Sequence, residues 1–106
     1  MSTSQINLAC NLGAHTPEQR FRHRELLRGI LAQKLKVHEQ ANGYTITLPS
    51  ETGLIAELAE YISLERLCCP SLRLGLTCEA NNGPLVLEIS GTDGPALWAT
   101  LQAAIQ

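Results

Sequence analysis

Two adjacent cysteines, Cys68 and Cys69, stand directly before Pro70 and one helical turn after Glu65 in the stretch "ERLCCP". Residues three and four apart share a helix face, so the carboxylate of Glu65 and both thiols lie on one side of a helix. Thiolates together with a carboxylate or an imidazole suit Zn²⁺, Cu⁺ and softer thiophilic ions such as Hg²⁺ or trivalent arsenic. The spacing therefore predicts a metal or metalloid site.

Cys10 and His23 are two further candidate ligands. Cys10 lies in "INLACNLGAHT", which we expect to be an extended arm that folds back against the end of the second helix. His23 leans toward the buried face of the first helix, because it precedes the apolar residue Leu27 by four positions. The predicted metal ligands are Cys10, Cys68 and Cys69, with Glu65 and His23 as a fourth ligand or as residues that support the ligands. The alternative for His23 is a partly buried histidine whose hydrogen bonds are satisfied within the protein.

Glu65 needs a partner if the fold buries it. It stands in line with apolar positions of its helix, and an unpaired buried charge is expensive. The candidate partners are Arg22, Arg24, Arg73, His23 or a metal ion.

The cysteines also allow other interpretations. Cys68 is equally well explained as a small core residue, and we expect Cys78 to be one. A nucleophilic thiol at this place is disfavoured, because the helix C-terminus and Glu65 both raise the pKa of a nearby thiol. A bound cation removes that obstacle, since it replaces the thiol proton. Metal binding is therefore favoured over covalent catalysis, and no catalytic residue is predicted.

The first helix that must position these residues has a clear start signal in "HTPEQR". Thr16 is the predicted N-cap, Pro17 takes the first helical position, and Gln19 completes a capping box. The apolar stripe of this helix consists of Leu26, Leu27, Ile30 and Leu31.

Two more helices are predicted. The second begins with Ser50 as N-cap and ends before Pro70, which pushes Cys69 out of α geometry. Its apolar face consists of Leu54, Ile55, Leu58, Tyr61 and Ile62. The last helix, in "TDGPALWATLQAAIQ", begins at Thr92 or Asp93 with Pro95 near its first position. Its apolar stripe consists of Leu97, Trp98, Leu101 and Ile105.

Two stretches with alternating hydrophobicity, "KLKVHEQANGYTITLPS" and "LRLGLTCEANNGPLVLEIS", predict β-hairpins that turn at "ANG" and "NNG". Their inward positions are Leu35, Val37, Tyr44, Ile46, Leu48, Leu72, Leu74, Leu76, Cys78, Leu85, Leu87 and Ile89. We therefore predict a single α+β domain over residues 1–106, in the order α-β-β-α-β-β-α. Its four-stranded antiparallel sheet carries the helices on one face. The strand order does not follow from these patterns.

Composition narrows the class of protein. A chain of 106 residues is enough for one domain, and its net charge of −2 gives no global attraction to nucleic acid. The basic stretch "RFRHRELLR" is interrupted by Glu25, and we interpret it as a solvated helix face. His15 is expected to be an exposed loop residue, and His38 to lie on the polar face of the sheet.

The amino end, "MSTSQINLAC", has no cationic region followed by an apolar run, and the longest apolar stretches are too short to span a bilayer. We therefore expect a cytoplasmic protein that has no membrane partner and keeps its four cysteines reduced. Adjacent cysteines also pair badly with each other. Their Cα atoms lie about 3.8 Å apart, below the usual disulfide range of roughly 4.4–6.8 Å.

The stretch "LERLCCPSLRLGL", preceded by "IAELAEYIS", resembles a family of small, uncharacterised bacterial proteins. Its members carry a central E-R-x-C-C-P-F motif and an early cysteine in an I-x-C-x-L arm, followed by T-P-E-Q-R-x-R-H. The corresponding elements here are Ile6, Asn11 and Leu12 around Cys10, residues 16–23 and residues 65–70, with Ser71 in place of the family's phenylalanine.

This resemblance implies metal or metalloid handling, because family members are sometimes encoded near metal-responsive regulators. It implies no reaction. The positions that it singles out are Cys10, His23, Glu65, Arg66, Cys68 and Cys69.

Three functions follow from these observations, in decreasing order of support. The first is a small cytosolic protein that buffers, delivers or senses zinc or a soft thiophilic ion, without an organic cofactor. The second is an interaction module with structural cysteines, which forms a homodimer through an open sheet edge. The third is a thiol-dependent enzyme that acts on a small electrophile or a peroxide.

Overall fold

Two α-helices and two β-hairpins alternate along the chain. The structure is a computed structural model, and it describes residues 12–91. Its elements are a short 3₁₀-helix (Leu12–Ala14), α1 (Pro17–Gln33), β1 (Lys36–Gln40), β2 (Gly43–Leu48), α2 (Thr52–Cys68), β3 (Arg73–Cys78) and β4 (Leu85–Ser90). The predicted α+β class is confirmed. The third predicted helix, together with its cap and apolar stripe, lies outside the described residues.

The first helix begins as predicted. The backbone N–H of Gln19 donates to Oγ1 of Thr16 at 3.1 Å, and the backbone N–H of Thr16 donates to Oε1 of Gln19 at 2.9 Å. Pro17 takes the first helical position, where its missing N–H costs nothing. The buried residues of α1 are the four predicted ones, Leu26, Leu27, Ile30 and Leu31. This capping box fixes the register that places His23 toward α2.

The four strands form one antiparallel sheet in the order β1-β2-β4-β3. The hairpins therefore join through β2 and β4, which lie at the centre of the sheet. Tyr44 on β2 stands opposite Ile89 on β4, and Ile46 stands opposite Leu87, so their apolar side chains line one face. Between β3 and β4, Asn81 and Asn82 adopt positive φ angles of 60° and 56°. Asparagine tolerates this conformation better than most residues, which explains the "NNG" turn.

Gly43, the first residue of β2, has no room for a side chain beside β4. A Cβ atom at this position would lie 2.0 Å from the carbonyl oxygen of Ile89. Glycine therefore allows the close approach of the two central strands directly after the Ala41–Asn42 turn.

The helices and the apolar face of the sheet share one hydrophobic core. In α2, the predicted core positions Leu54, Leu58 and Tyr61 are buried. Ile55 is exposed instead, one position away from the buried residue Leu54. The buried face of α2 continues beyond Tyr61 into the last turn of the helix. That continuation consists of Leu64, Glu65 and Cys68. The end of α2 is thus embedded in the core.

Three further expectations are corrected. Glu51, not Ser50, is the N-cap of α2, because its carbonyl accepts the first helical N–H groups from Leu54 and Ile55. Leu35 is exposed, since it precedes the edge strand β1. Cys78 is exposed as well, because it is the last residue of β3, the other edge strand. Neither of the two described α-helices is long and apolar enough to cross a membrane.

Candidate metal site between the two helices

The packed interface of α1 and α2 brings together a histidine, a carboxylate and a thiol. His23 lies in the second turn of α1, while Glu65 and Cys68 lie in the last turns of α2. One donor atom from each of these residues falls within 4.8 Å of the other two. His23, Glu65 and Cys68 therefore lie close enough together to hold a metal ion.

Glu65 is the buried charge of this group. Only 2% of the residue is exposed, and its Oε1 atom accepts a hydrogen bond from Nε2 of His23 across 2.5 Å. A carboxylate in the core is costly unless it is paired, and this contact supplies the pairing. Of the partners considered from the sequence, the structure selects His23. Arg22 instead makes two hydrogen bonds of 2.9 Å to the exposed carboxylate of Glu60.

Cys68 places a free thiol one turn after Glu65. The residue is fully buried, and its Sγ atom donates to the backbone carbonyl of Glu65 at 3.6 Å. Burial, and then the negative charge of Glu65, raise the pKa of the Cys68 thiol to about 12. The thiol is therefore protonated at neutral pH unless a cation replaces the proton, as the sequence argument anticipated.

Cys69 differs from its neighbour Cys68 in oxidation state. It is the C-cap of α2, with φ −130° and ψ 68°, so Pro70 ends the helix as predicted. Its Sγ atom lies 3.5 Å from that of Cys68, and the two adjacent sulfurs are not bonded to each other. Cys69 is nevertheless disulfide-bonded, which corrects the expectation that all four cysteines are reduced. That expectation rested on compartment alone, whereas a disulfide depends on where the fold places the sulfur. Cys10 lies outside the described residues.

Tyr61 forms an aromatic wall of the site. Its ring stacks on that of His23, with centroids 5.2 Å apart and planes inclined by 20°. Burial, and then the charge of Glu65, raise the pKa of Tyr61 well above its ordinary value. The phenol thus stays neutral beside the carboxylate. Stacking on this wall favours the orientation in which the imidazole faces Glu65.

His15 is the residue that sequence reasoning misplaced. It is 4% exposed instead of lying in solvent, and its Nε2 atom donates to the carbonyl of Leu64 at 2.8 Å. Its ring centroid lies 5.2 Å from that of His23. The signal in the sequence was its place directly before the N-cap Thr16, since a side chain at that position commonly packs back against the helix.

The hydrogen bond to Leu64 shows which ring nitrogen of His15 is a donor. A carbonyl only accepts, so Nε2 of His15 carries a proton and is the donor of this hydrogen bond. Among the described residues, the buried Nδ1 atom of His15 has no hydrogen-bond partner. The ring of His15 therefore packs beside that of His23, whereas the donor atoms that lie within 4.8 Å of one another are those of His23, Glu65 and Cys68.

Comparison with known proteins found no relative of this chain. No family model, curated protein or solved structure matches the chain.

Proposed function

We propose that the chain binds a thiophilic metal ion, such as Zn²⁺, between α1 and the end of α2. The observation that carries this proposal is the group of three donor residues, His23, Glu65 and Cys68, whose ligand atoms lie within 4.8 Å of one another. Nitrogen, carboxylate oxygen and thiolate sulfur are the three donor types that Zn²⁺ accepts in proteins. Harder cations such as Mg²⁺ and Ca²⁺ prefer oxygen alone, so the thiol favours zinc or a softer ion.

Charge balance supports a divalent cation in particular. Glu65 and Cys68 are both buried, and two negative charges in the core are expensive. A dication neutralises the carboxylate and the thiolate together, and it removes the thiol proton that burial otherwise retains. One ion thus compensates for burial of the Glu65 carboxylate and for burial of the Cys68 thiolate.

The hydrogen bonds of the histidines suit ligation. A metal-bound histidine usually donates its other ring N–H to a carboxylate or a carbonyl, which orients the ring. His23 donates from Nε2 to Glu65, and His15 donates from Nε2 to the carbonyl of Leu64. If Glu65 supports His23 as a ligand, Nδ1 of His23 is the nitrogen that binds the ion. If His23 and Glu65 are both ligands through Nε2 and Oε1, the ion replaces the hydrogen bond between them.

Once its disulfide is reduced, Cys69 adds a second sulfur to the proposed set of ligands. The Sγ atom of Cys69 lies 3.5 Å from that of Cys68. Two thiolates on one tetrahedral zinc ion are separated by about 3.8 Å, as follows from a Zn–S bond of about 2.3 Å. Cys10 remains a proposed ligand on the strength of the sequence. The buried position of the group favours binding over turnover, because a catalytic zinc keeps one position open. The role that we propose is buffering, delivery or sensing of the ion.

Metal analysis of the purified protein in its reduced form tests this function. We expect one equivalent of Zn²⁺ per chain and displacement only by a strong chelator. Changes in the outer shell of a zinc site cost roughly 10–100-fold in affinity, so loss of the Cys68 ligand should cost at least about 100-fold. Competition against a chromophoric chelator measures that loss in Cys68→Ser.

Cys78→Ser is the matched control, because Cys78 is a free, exposed thiol on β3. It should bind Zn²⁺ as the unaltered chain does, and circular dichroism should show that both variants fold. A folded Cys68→Ser variant with undiminished affinity would contradict the proposed site.

A homodimeric interaction module is the second candidate. In the described part of the chain, β1 and β3 are the two edges of the sheet, and four of the five residues of β1 are exposed. An uncovered edge can pair with a second copy. Sedimentation analysis separates the candidates: a metal-free dimer that binds no Zn²⁺ favours the module, whereas a Zn²⁺-binding chain favours the metal site.

A further inference from the structure

Two neighbouring sulfurs at the end of α2 are in different oxidation states. Cys68 carries a free thiol, whereas Cys69 is disulfide-bonded, and their Sγ atoms lie 3.5 Å apart. Both residues are fully buried. The oxidised sulfur therefore stands directly beside the group formed by His23, Glu65 and Cys68.

A disulfide sulfur is a poor metal ligand. The thiolate is the form that binds metal, and a sulfur that is bonded to another sulfur carries no such charge. In the state that the structure shows, Cys68 is therefore the one sulfur of the adjacent pair that can become a thiolate. Reduction of the disulfide would place a second thiol 3.5 Å away, close to the spacing of two thiolates on one zinc ion.

We propose that the oxidation state of Cys69 gates metal binding at this site: the Cys69 disulfide holds the site in a weak form, and its reduction creates the tight form. This inference rests on the proposed function. Among residues 12–91, the other two cysteines, Cys68 and Cys78, are free, and the inference does not depend on which sulfur is bonded to Cys69.

The chemical step needs a dithiol reductant. The dithiol gives up two electrons and two protons, and it closes into its own cyclic disulfide. The disulfide bond of Cys69 breaks, and each of its two sulfurs takes up one electron and one proton to become a thiol. When the metal ion then binds, it replaces the thiol protons of Cys68 and Cys69, which leave to solvent.

The reverse step releases the metal. Hydrogen peroxide oxidises two thiols to a disulfide and is itself reduced to two molecules of water. Because Cys68 and Cys69 are adjacent, a disulfide between them is geometrically unfavourable. Oxidation should therefore consume Cys69 and its partner and leave Cys68 as a free thiol, which is the arrangement in the structure.

Linkage makes the gating reciprocal. If reduction tightens metal binding by some factor, bound metal stabilises the reduced form by the same factor. Zn²⁺ should therefore protect Cys69 from oxidation. The dithiol should also act slowly on the native protein, because both described sulfurs are buried and the disulfide becomes accessible only through local opening.

The test compares the two oxidation states of one preparation. Half is left oxidised, and half is reduced, freed of reductant by desalting and kept without oxygen. Thiol counting should rise by two per chain on reduction. Competition for Zn²⁺ against a chromophoric chelator should then show at least about 100-fold tighter binding by the reduced half, since a direct ligand matters more than the outer shell.

Two variants make the result specific. Cys69→Ser cannot form the disulfide. It should bind Zn²⁺ more weakly than the reduced unaltered chain, with an affinity that is the same whether or not reductant has been present. Cys78→Ser retains the disulfide and should keep the full difference between the two states. Circular dichroism confirms that each variant folds.

The remaining outcomes overturn the inference in distinguishable ways. Equal Zn²⁺ affinity in the oxidised and reduced halves would refute the gating and leave the metal site standing. A thiol count of four in air-oxidised protein would also refute the gating. If neither half binds Zn²⁺ at micromolar concentration, the proposed function itself is refuted.

Discussion

His23 on α1 donates a hydrogen bond from Nε2 to Oε1 of Glu65 on α2 across 2.5 Å. Arg22, the preceding residue of α1, contacts the same helix through Glu60. The two contacts join the same pair of helices and differ in burial, because the His23 pair lies in the core and the Arg22 pair lies in solvent. They should therefore differ sharply in their contribution to stability.

Removing the buried partner is expected to destabilise the metal-free chain strongly. His23→Ala leaves the carboxylate of Glu65 buried without its donor, and breaking a buried pair in this way costs about 3–5 kcal/mol. Arg22→Ala is the matched control and should change the free energy of unfolding little, because exposed pairs contribute little. Denaturant unfolding measures both. Equal effects of the two substitutions would contradict a charged Glu65 held by His23.

The two free thiols should react at very different rates. Cys78 is exposed, whereas Cys68 is buried and its pKa is raised to about 12 by burial and by Glu65. Iodoacetamide near neutral pH should therefore label Cys78 first, and Cys68 only after unfolding, because the thiolate is the reactive form. Mass spectrometry of the labelled peptides measures the order. Rapid labelling of Cys68 in the folded chain would instead favour the thiol-dependent enzyme.

Alkaline pH should destabilise the fold through the two buried tyrosines, one on β2 and one on α2. The chain has two tyrosines, Tyr44 and Tyr61, and burial raises the pKa of both above the ordinary value of 10.0. Above pH 10 the unfolded chain therefore loses phenol protons before the folded chain does. Each phenol then lowers the free energy of unfolding by up to about 1.4 kcal/mol per pH unit.

Tyrosinate absorbance measures this effect, since both tyrosines contribute to it. We expect almost no signal just above pH 10, followed by a cooperative rise that coincides with loss of circular dichroism. In denaturant the same absorbance should titrate near pH 10. A gradual rise near pH 10 in a chain that stays folded would show that the phenols are accessible.

Two glycines should respond to alanine in opposite directions. In Gly43→Ala, the new Cβ atom would lie 2.0 Å from the carbonyl oxygen of Ile89, so the central strands must separate, at a cost of about 3 kcal/mol or more. Gly29 lies within α1, where a new Cβ atom would meet no atom within 4 Å, and Gly29→Ala should stabilise the chain by roughly 0.5–1 kcal/mol. Thermal unfolding of both variants checks the signs. A tolerated Gly43→Ala would contradict the register of β2 against β4.

Local signals in the sequence predicted the elements well. The capping box of Thr16 and Gln19 and the stop at Pro70 both depend on nearest neighbours, so the sequence contains all the information they need. The strand order is different, because the pairing of β2 with β4 depends on contacts between distant segments. Cys78 illustrates the same limit: alternation gave it an inward position, but its exposure depends on β3 being an edge strand.

The candidate site divides in the same way. Helical spacing was enough to predict that Glu65 lies beside Cys68. The energetic cost of a buried charge was enough to predict that Glu65 has a partner. The choice of His23 over Arg22 required the packing of α1 on α2, which no local pattern contains. His15 was missed because its burial arises from its contact with the carbonyl of Leu64, far along the chain.

Cobalt substitution tests the proposed ligands most directly. Co²⁺ commonly takes the place of Zn²⁺ and absorbs strongly when a thiolate binds it. Titration of the reduced chain should give thiolate-to-cobalt absorbance that saturates at one equivalent, with the intense visible bands of a tetrahedral site, and Cys78→Ser should match it. Cys68→Ser should weaken both signals. An absence of thiolate absorbance in the unaltered chain, or an unchanged spectrum in a folded Cys68→Ser variant, would contradict a metal site built on Cys68.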